Sequence, residues 1–118
     1  MVYIVDDDFS VRRSLNLLLK SEKIACNTFE SAQDFLENFQ MSDNNLLLLD
    51  MQMQGLDGCD LLKRLLNIGI KIPVIIITAF DEPSSRKCAE DYGVLAYLKK
   101  PVDSKELLKY INLVNVNY

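Results

Sequence analysis

Four aspartates carry the clearest chemical potential in this sequence. Asp6, Asp7 and Asp8 stand directly after the apolar run Val2–Val5, and Asp50 stands directly after Leu46–Leu49. Carboxylates brought together repel and raise one another's pKa unless a cation joins them. A hard divalent ion with oxygen ligands resolves that repulsion. Mg²⁺ takes one or two carboxylates and leaves its other positions to water or phosphate oxygens. Two more polar residues end apolar runs in the same way: Thr78 follows the run 74–77, and Lys100 follows 94–98 ahead of Pro101. An ammonium among carboxylates balances charge and holds a phosphoryl group as a point charge. The Thr78 hydroxyl and the Ala79 backbone N–H are donors suited to phosphate oxygens. Each residue alone has a plainer reading, as a solvated acidic turn, a strand threonine or a surface lysine. Their joint placement at strand ends favours a site.

Other chemistries are narrowed by composition. The chain has no histidine, which excludes Ser-His-Asp and Cys-His mechanisms. Cys26, Cys59 and Cys88 are odd in number and widely spaced, with no CxxC pair. A zinc site is therefore not expected, and the three read as buried free thiols in a reducing compartment. Four glycines form no phosphate-cradling loop. A net charge of −4 argues against direct nucleic-acid binding by this chain. DNA contact would belong to a further domain beyond Tyr118, and the ending Val114-Asn115-Val116-Asn117-Tyr118, which gives no linker, is compatible with a chain cut short there. No apolar run approaches the roughly 20 residues of a membrane span. No secretory signal follows Met1, so a cytoplasmic location is expected, without membrane association.

The elements that must position these residues alternate along the 118 residues, which read as a single domain, 1–118, with 49% hydrophobic content. Apolar runs at 2–5, 24–28, 46–49, 74–77 and 94–98 read as strands, three of them continuous, as in a parallel sheet covered on both faces. Between them lie amphipathic stretches. Val11, Leu15, Leu18 and Leu19 make one stripe, and Ala32, Phe35, Leu36 and Phe39 another. Ser31 with Asp34 has capping spacing. Leu61, Leu62, Leu65 and Leu66 precede Gly69, and a fourth helix opens at Pro83 and closes at Gly93. Asp103 and Glu106 have N-cap and N3 spacing ahead of Leu107, Leu108, Ile111 and Val114. The order is (βα)₅, an α/β fold with a doubly wound parallel sheet in the order 2-1-3-4-5. Such sheets bind ligands at the carboxyl ends of the strands, where the order reverses, here between the first and third strands.

At this point the whole chain resembles the receiver domains of two-component response regulators, with their flavodoxin-like fold. The motifs that carry the resemblance are Val5-Asp6-Asp7, Asp50-Met51-Gln52-Met53 with Gly58, Thr78-Ala79, and Tyr97-Leu98-Lys99-Lys100-Pro101. The stretch Val5-Asp6-Asp7-Asp8 with Val11-Arg12-Arg13-Ser14-Leu15 further resembles the subfamily joined to a LuxR/FixJ-type helix-turn-helix domain. The resemblance implies that Asp50 is the phosphoacceptor, and that Asp7, Asp50 and the backbone carbonyl of Gln52 hold Mg²⁺ (or Mn²⁺) with Asp6 in the same shell. It implies that Lys100 and Ala79 bind the phosphate, that Thr78 and Tyr97 form the switch pair, and that the Lys100-Pro101 bond is often cis.

The implied function is a phosphoacceptor served by a sensor histidine kinase. It is not a turnover enzyme, although it catalyses its own phosphorylation and dephosphorylation. Its switched surface is the fourth helix, fifth strand and fifth helix, which serve a homodimer or an output, expected to be transcription. Two departures stand out. Gln54 occupies a place where the family often has proline. The bulky Phe80 lies two residues past Thr78, where it is expected to slow hydrolysis of an aspartyl phosphate. Competing readings are a haloacid-dehalogenase-type Mg²⁺ phosphatase using Asp6 and Asp8, and a receiver-like interaction module that is not phosphorylated.

Overall fold

The computed structural model describes residues 1–114, and residues 115–118 of the ending noted above lie outside them. Strands β1 (Val2–Val5), β2 (Cys26–Phe29), β3 (Leu46–Leu49), β4 (Val74–Thr78) and β5 (Ala96–Lys99) alternate with five helices. These are α1 (Phe9–Ser21), α2 (Ala32–Asn38), α3 (Gly58–Asn67), α4 (Pro83–Tyr92) and α5 (Ser104–Leu113). All strand pairs are parallel, in the order β2-β1-β3-β4-β5, as the alternation predicts.

The continuous apolar strands follow from two-sided burial. Successive side chains point to opposite faces, so Tyr3, Val5, Leu47, Leu49, Val74 and Ile76 meet one helical layer, with Phe35, Leu61, Leu62, Leu65 and Ala89. Val2, Ile4, Leu46, Leu48, Ile75 and Ile77 meet the other, with Leu15, Leu19, Leu107 and Ile111. A polar residue in the middle of β1 or β3 would have no wet side to face. Polar groups are therefore confined to the strand ends, where the carboxyl edge collects them.

The helix termini follow local chemistry. Ser31 Oγ accepts the Asp34 N–H at 2.9 Å, and Asp57 and Asp60 form a reciprocal capping box at α3. Asp103 caps α5 by accepting from Lys105 N–H at 2.9 Å rather than by pairing with Glu106. Gly93 ends α4 at φ 84°, a conformation that costs glycine little.

Some sequence expectations shift. β5 begins two residues after the expected position, because Val94 N–H still bonds back to Ala89 O of α4. β2 starts at Cys26 instead of 24. It is an edge strand, and its Asn27 and Thr28 are exposed. Phe39 leaves α2 as its cap residue, yet its ring stacks on Phe35 with centroids 4.4 Å apart. Leu66 points outward at 55% exposure, one position round the helix from buried Leu65. The expectation of three free thiols is wrong for two of them: Cys59 on α3 and Cys88 on α4 form a disulfide, and Cys26 is the free cysteine. A separation of 29 residues concealed a proximity that exists only because α3 and α4 lie side by side.

Gly58, at the start of α3, packs tightly against the chain just past β3. An added Cβ would stand 2.7 Å from Asp50 O and 2.8 Å from Met51 Cα, both backbone atoms that cannot swing away. Gly58→Ala is therefore expected to destabilise the fold by roughly 1–3 kcal/mol, the usual cost of overpacking. Urea unfolding checks this, and a midpoint equal to wild type would mean that the turn relaxes freely.

Candidate functional site

The carboxyl ends of β1, β3, β4 and β5 bring the predicted residues to one edge. Asp6 and Asp50 follow β1 and β3, which are direct neighbours in register, so the two carboxylates are drawn together across the switch point. Asp6 is 2% exposed and Asp50 5% exposed, whereas Asp7 is exposed. One carboxylate oxygen from each lies within 4.8 Å of the others. Lys100, next after β5, reaches across the edge: its Nζ donates to Asp6 Oδ2 at 2.9 Å and stands 3.6 Å from Asp50 Oδ2. The Lys100-Pro101 bond is cis.

Backbone donors orient each acid. Asp6 Oδ1 accepts the Asp8 N–H at 2.9 Å, and Asp50 Oδ1 accepts the Gln52 N–H at 3.2 Å. Asp7 Oδ2 accepts the Gln54 N–H at 3.3 Å. This last bond gives the family departure a consequence, since proline at position 54 has no N–H to offer. Asp8 is spent elsewhere: its Oδ1 accepts the Ser10 N–H at 2.8 Å and caps α1. A phosphatase working through Asp6 and Asp8 thus loses its second carboxylate.

Electrostatics set the charge state of the edge. Burial first, and the Asp6 charge next, push the Asp50 carboxyl up to about 6, against the opposing pull of Lys100. Burial lowers the Lys100 pKa, but the hydrogen bond to Asp6 and the charges of Asp50 and Asp6 more than offset it, leaving the ammonium above its ordinary value. One ammonium among three carboxylates leaves the edge short of positive charge. An oxygen donor set of this kind fits a hard divalent cation of Mg²⁺ type, with Asp6, Asp7 and Asp50 as its side-chain donors.

Sequence reasoning named Gln52 for its backbone carbonyl. Its side chain does more. The Thr78 hydroxyl donates to Gln52 Oε1, and Gln52 Nε2 reaches Phe80 O at 3.4 Å and Ser85 Oγ at 3.3 Å. One amide therefore ties the end of β4 to the first turn of α4. A long amide beside the acid was visible in the sequence, but nothing there located Ser85. Thr78 Oγ1 also lies 3.0 Å from Phe80 O, so its hydroxyl is engaged by Gln52 and the β4–α4 loop. Ala79 is exposed after β4, and Phe80 is 61% exposed. Tyr97 on β5 is half-buried, with its hydroxyl enclosed and unpartnered. Arg86 covers its ring at 4.7 Å. A cleft of about 580 Å³ opens beside the acids, with Asp7, Gln52, Met53, Gln54, Cys59 and Glu82 in its lining.

The raised Asp50 carboxyl has a thermodynamic sign. The folded state holds a proton that the unfolded state releases at lower pH, so the stability it gives is present below the ordinary carboxylate range and lost as pH rises through about 6. In chelator, Asp50→Asn is expected to be more stable than wild type at pH 7.5 by about 1–3 kcal/mol. The difference should vanish near pH 4. Urea unfolding at both pH values checks it, and a pH-independent difference would refute it.

The comparisons with known proteins agree with this fold. The response regulator receiver domain family matches residues 2–112. The transcriptional regulatory protein TdiR of Thauera aromatica is 36% identical over 94% of this chain and 49% of its own length. The DNA-binding transcriptional regulator NtrC of Escherichia coli K12 is 34% identical over the whole chain, which covers 25% of that protein. The solved structure of the response regulator StyR superimposes with a TM-score of 0.87 at 37% identity, over 95% of this chain and 57% of that one. The chain spans about half or less of the length of these curated relatives. No helix among the described residues is long and apolar enough to cross a membrane. Fold, edge chemistry and family match coincide: this chain belongs to the response regulator receiver domain family of two-component signalling.

Proposed function

We propose that the chain accepts a phosphoryl group on Asp50 from a phosphohistidine of a sensor histidine kinase and converts the new charge into a change of its α4–β5–α5 surface. The observation that carries this reading is Lys100 Nζ seated between Asp6 at 2.9 Å and Asp50 at 3.6 Å, joining residues at opposite ends of the sequence. In the transfer an O–P bond forms on an Asp50 carboxylate oxygen as the N–P bond of the donor breaks, and the departing imidazole takes up a proton. A carboxylate is a weak nucleophile, so positioning and charge stabilisation supply most of the acceleration. The Gln52 N–H orients Asp50, Lys100 neutralises equatorial phosphoryl oxygens, and Ala79 N–H donates to another. Asp7, Asp50 and the Gln52 carbonyl, with Asp6 in the same shell, would hold Mg²⁺ (or Mn²⁺), which would supply charge neutralisation for the transfer.

The switch follows from what Thr78 gives up. A phosphoryl group carries about −1.5 to −2 charges and draws the Thr78 hydroxyl away from Gln52 and Phe80, which frees the Gln52 amide from its shared contact with Ser85. Tyr97 packs beside that path, and its position changes with α4. The output proposed is transcription, through a further DNA-binding domain of the kind named in the relatives. A phosphorylation-dependent homodimer through α4–β5–α5, a cytoplasmic setting and a slow hydrolysis governed by Phe80 complete the proposal. The domain phosphorylates and dephosphorylates itself rather than turning over a substrate.

Acetyl phosphate with Mg²⁺ tests the reading by intact mass. Wild type is expected to gain one phosphoryl group and Asp50→Asn none, while Lys100→Ala slows the gain by about 10²-fold, the size of a lost charge-stabilising donor. Uptake by Asp50→Asn equal to wild type would refute it. The Gln52 contact gives a second prediction. Removing a net hydrogen bond of about 0.5–1.5 kcal/mol means that Gln52→Ala binds beryllofluoride roughly 2- to 10-fold tighter, since Thr78 no longer has to be released. Titration followed by tyrosine fluorescence measures this, and weaker binding would assign Gln52 to holding the ligand instead.

A further inference from the structure

We propose that Cys59 and Cys88 are a redox-controlled tether that fastens α4 to α3 and restrains the phosphorylation switch until a dithiol reductant opens it; the coupling to phosphorylation rests on the receiver reading above. The two helices are anchored very differently. α3 buries Leu61, Leu62 and Leu65 against the sheet, and Gly58 at its start lies against the Asp50 and Met51 backbone. α4 fully buries the two small residues Ser85 and Ala89, with Cys88 and Tyr92 half-buried beside them, and its first turn has no side-chain cap. Beyond these, α4 is held by the Tyr92 hydroxyl donating to Ile72 O at 3.0 Å and by surface contacts of Arg86. Among the described residues, the covalent bond is thus its one direct bond to the deeply anchored α3.

The tether and the switch meet on the same helix. Ser85, three residues before Cys88, receives the Gln52 amide that also binds Thr78. Drawing Thr78 toward a phosphoryl group releases the α4 end of that contact, while Cys88 stays pinned to a helix that cannot follow. The disulfide is reachable. Both cysteines are only half-buried, and they line a groove of about 330 Å³ with Leu62, Lys63, Ser84 and Tyr92. Lys63, with Lys87 paired to Asp91 at 3.6 Å, leaves that groove with a net positive charge, which favours the thiolate form that exchange requires. In a reducing compartment a disulfide of this kind is usually transient and redox-sensing rather than structural.

Opening is a two-electron reduction. A thiolate of the reductant attacks one cysteine sulfur, breaking the Cys59–Cys88 bond and forming a mixed disulfide. The second reductant thiol then displaces the first sulfur. The reductant leaves as its own disulfide, and its two protons end on Cys59 and Cys88.

Hydrogen exchange of α4 tests the proposal in the full chain, oxidised with diamide or reduced with dithiothreitol, with and without beryllofluoride and Mg²⁺. Alkylation mass counts the thiols: one in the oxidised protein, three in the reduced. Reduction is expected to speed basal exchange of α4 by about tenfold. Beryllofluoride should change that exchange about tenfold in the reduced protein and in a Cys59→Ser/Cys88→Ser variant, but hardly in the oxidised protein. Three alkylated thiols after oxidation, or a clear α4 response of equal size in both redox states, would overturn the tether. Absence of any beryllofluoride response in either state would instead overturn the receiver reading, and basal α4 exchange would still decide whether the bond restrains the helix.

Discussion

Everything at the carboxyl edge depends on keeping Asp50 charged where water scarcely reaches it. Burial and the neighbouring Asp6 both oppose ionisation, and the protein answers with a single ammonium from the far end of the chain. Lys100 cannot neutralise three carboxylates, so the resting edge remains short of positive charge. That deficit suits a hard divalent cation, whose charge would relieve the three acids.

The sheet is the device that creates this situation. Its central strands are apolar on both faces, so no aspartate fits within them, and the first position free of that constraint is the strand end. Parallel pairing places all those ends on one side. The β1–β3 register sets Val5 beside Leu49, and the next residue in each strand is an aspartate. The acids therefore converge because of a register that hydrophobic burial enforces, with no attraction between them.

The edge is also joined to α4 by side-chain hydrogen bonds. The Gln52 side chain spans Thr78 and Ser85, so the shortest polar route from the edge to α4 is one amide long. The helix at the end of that route is lightly packed, while its neighbour α3 is deeply buried. Such asymmetry suits a movable element beside a fixed one. The Asp81–Arg86 pair, with Arg86 over the Tyr97 ring, ties the same helix to β5 at the surface, where ion pairs are weak and easily exchanged.

Much of this was legible in the residues. Alternating runs and stripes were enough for five βα units, and Asp6, Asp7, Asp50, Thr78 and Lys100 declared themselves by standing just past apolar runs, because a strand end is where solvent-seeking groups can first appear. Capping was half legible: Ser31 behaves as its spacing implies, but Asp103 closes on Lys105, a choice made by local backbone angles. Other features belonged to tertiary structure alone. The Cys59–Cys88 bond, the Gln52 bridge to Ser85 and the Gln54 N–H at Asp7 all join separate segments whose distance no one-dimensional pattern encodes. Hydrophobic periodicity reports which face of an element is buried, and so determined the architecture and the edge. Which side chain meets which across two packed elements depends on their relative placement, and only the folded chain decides that.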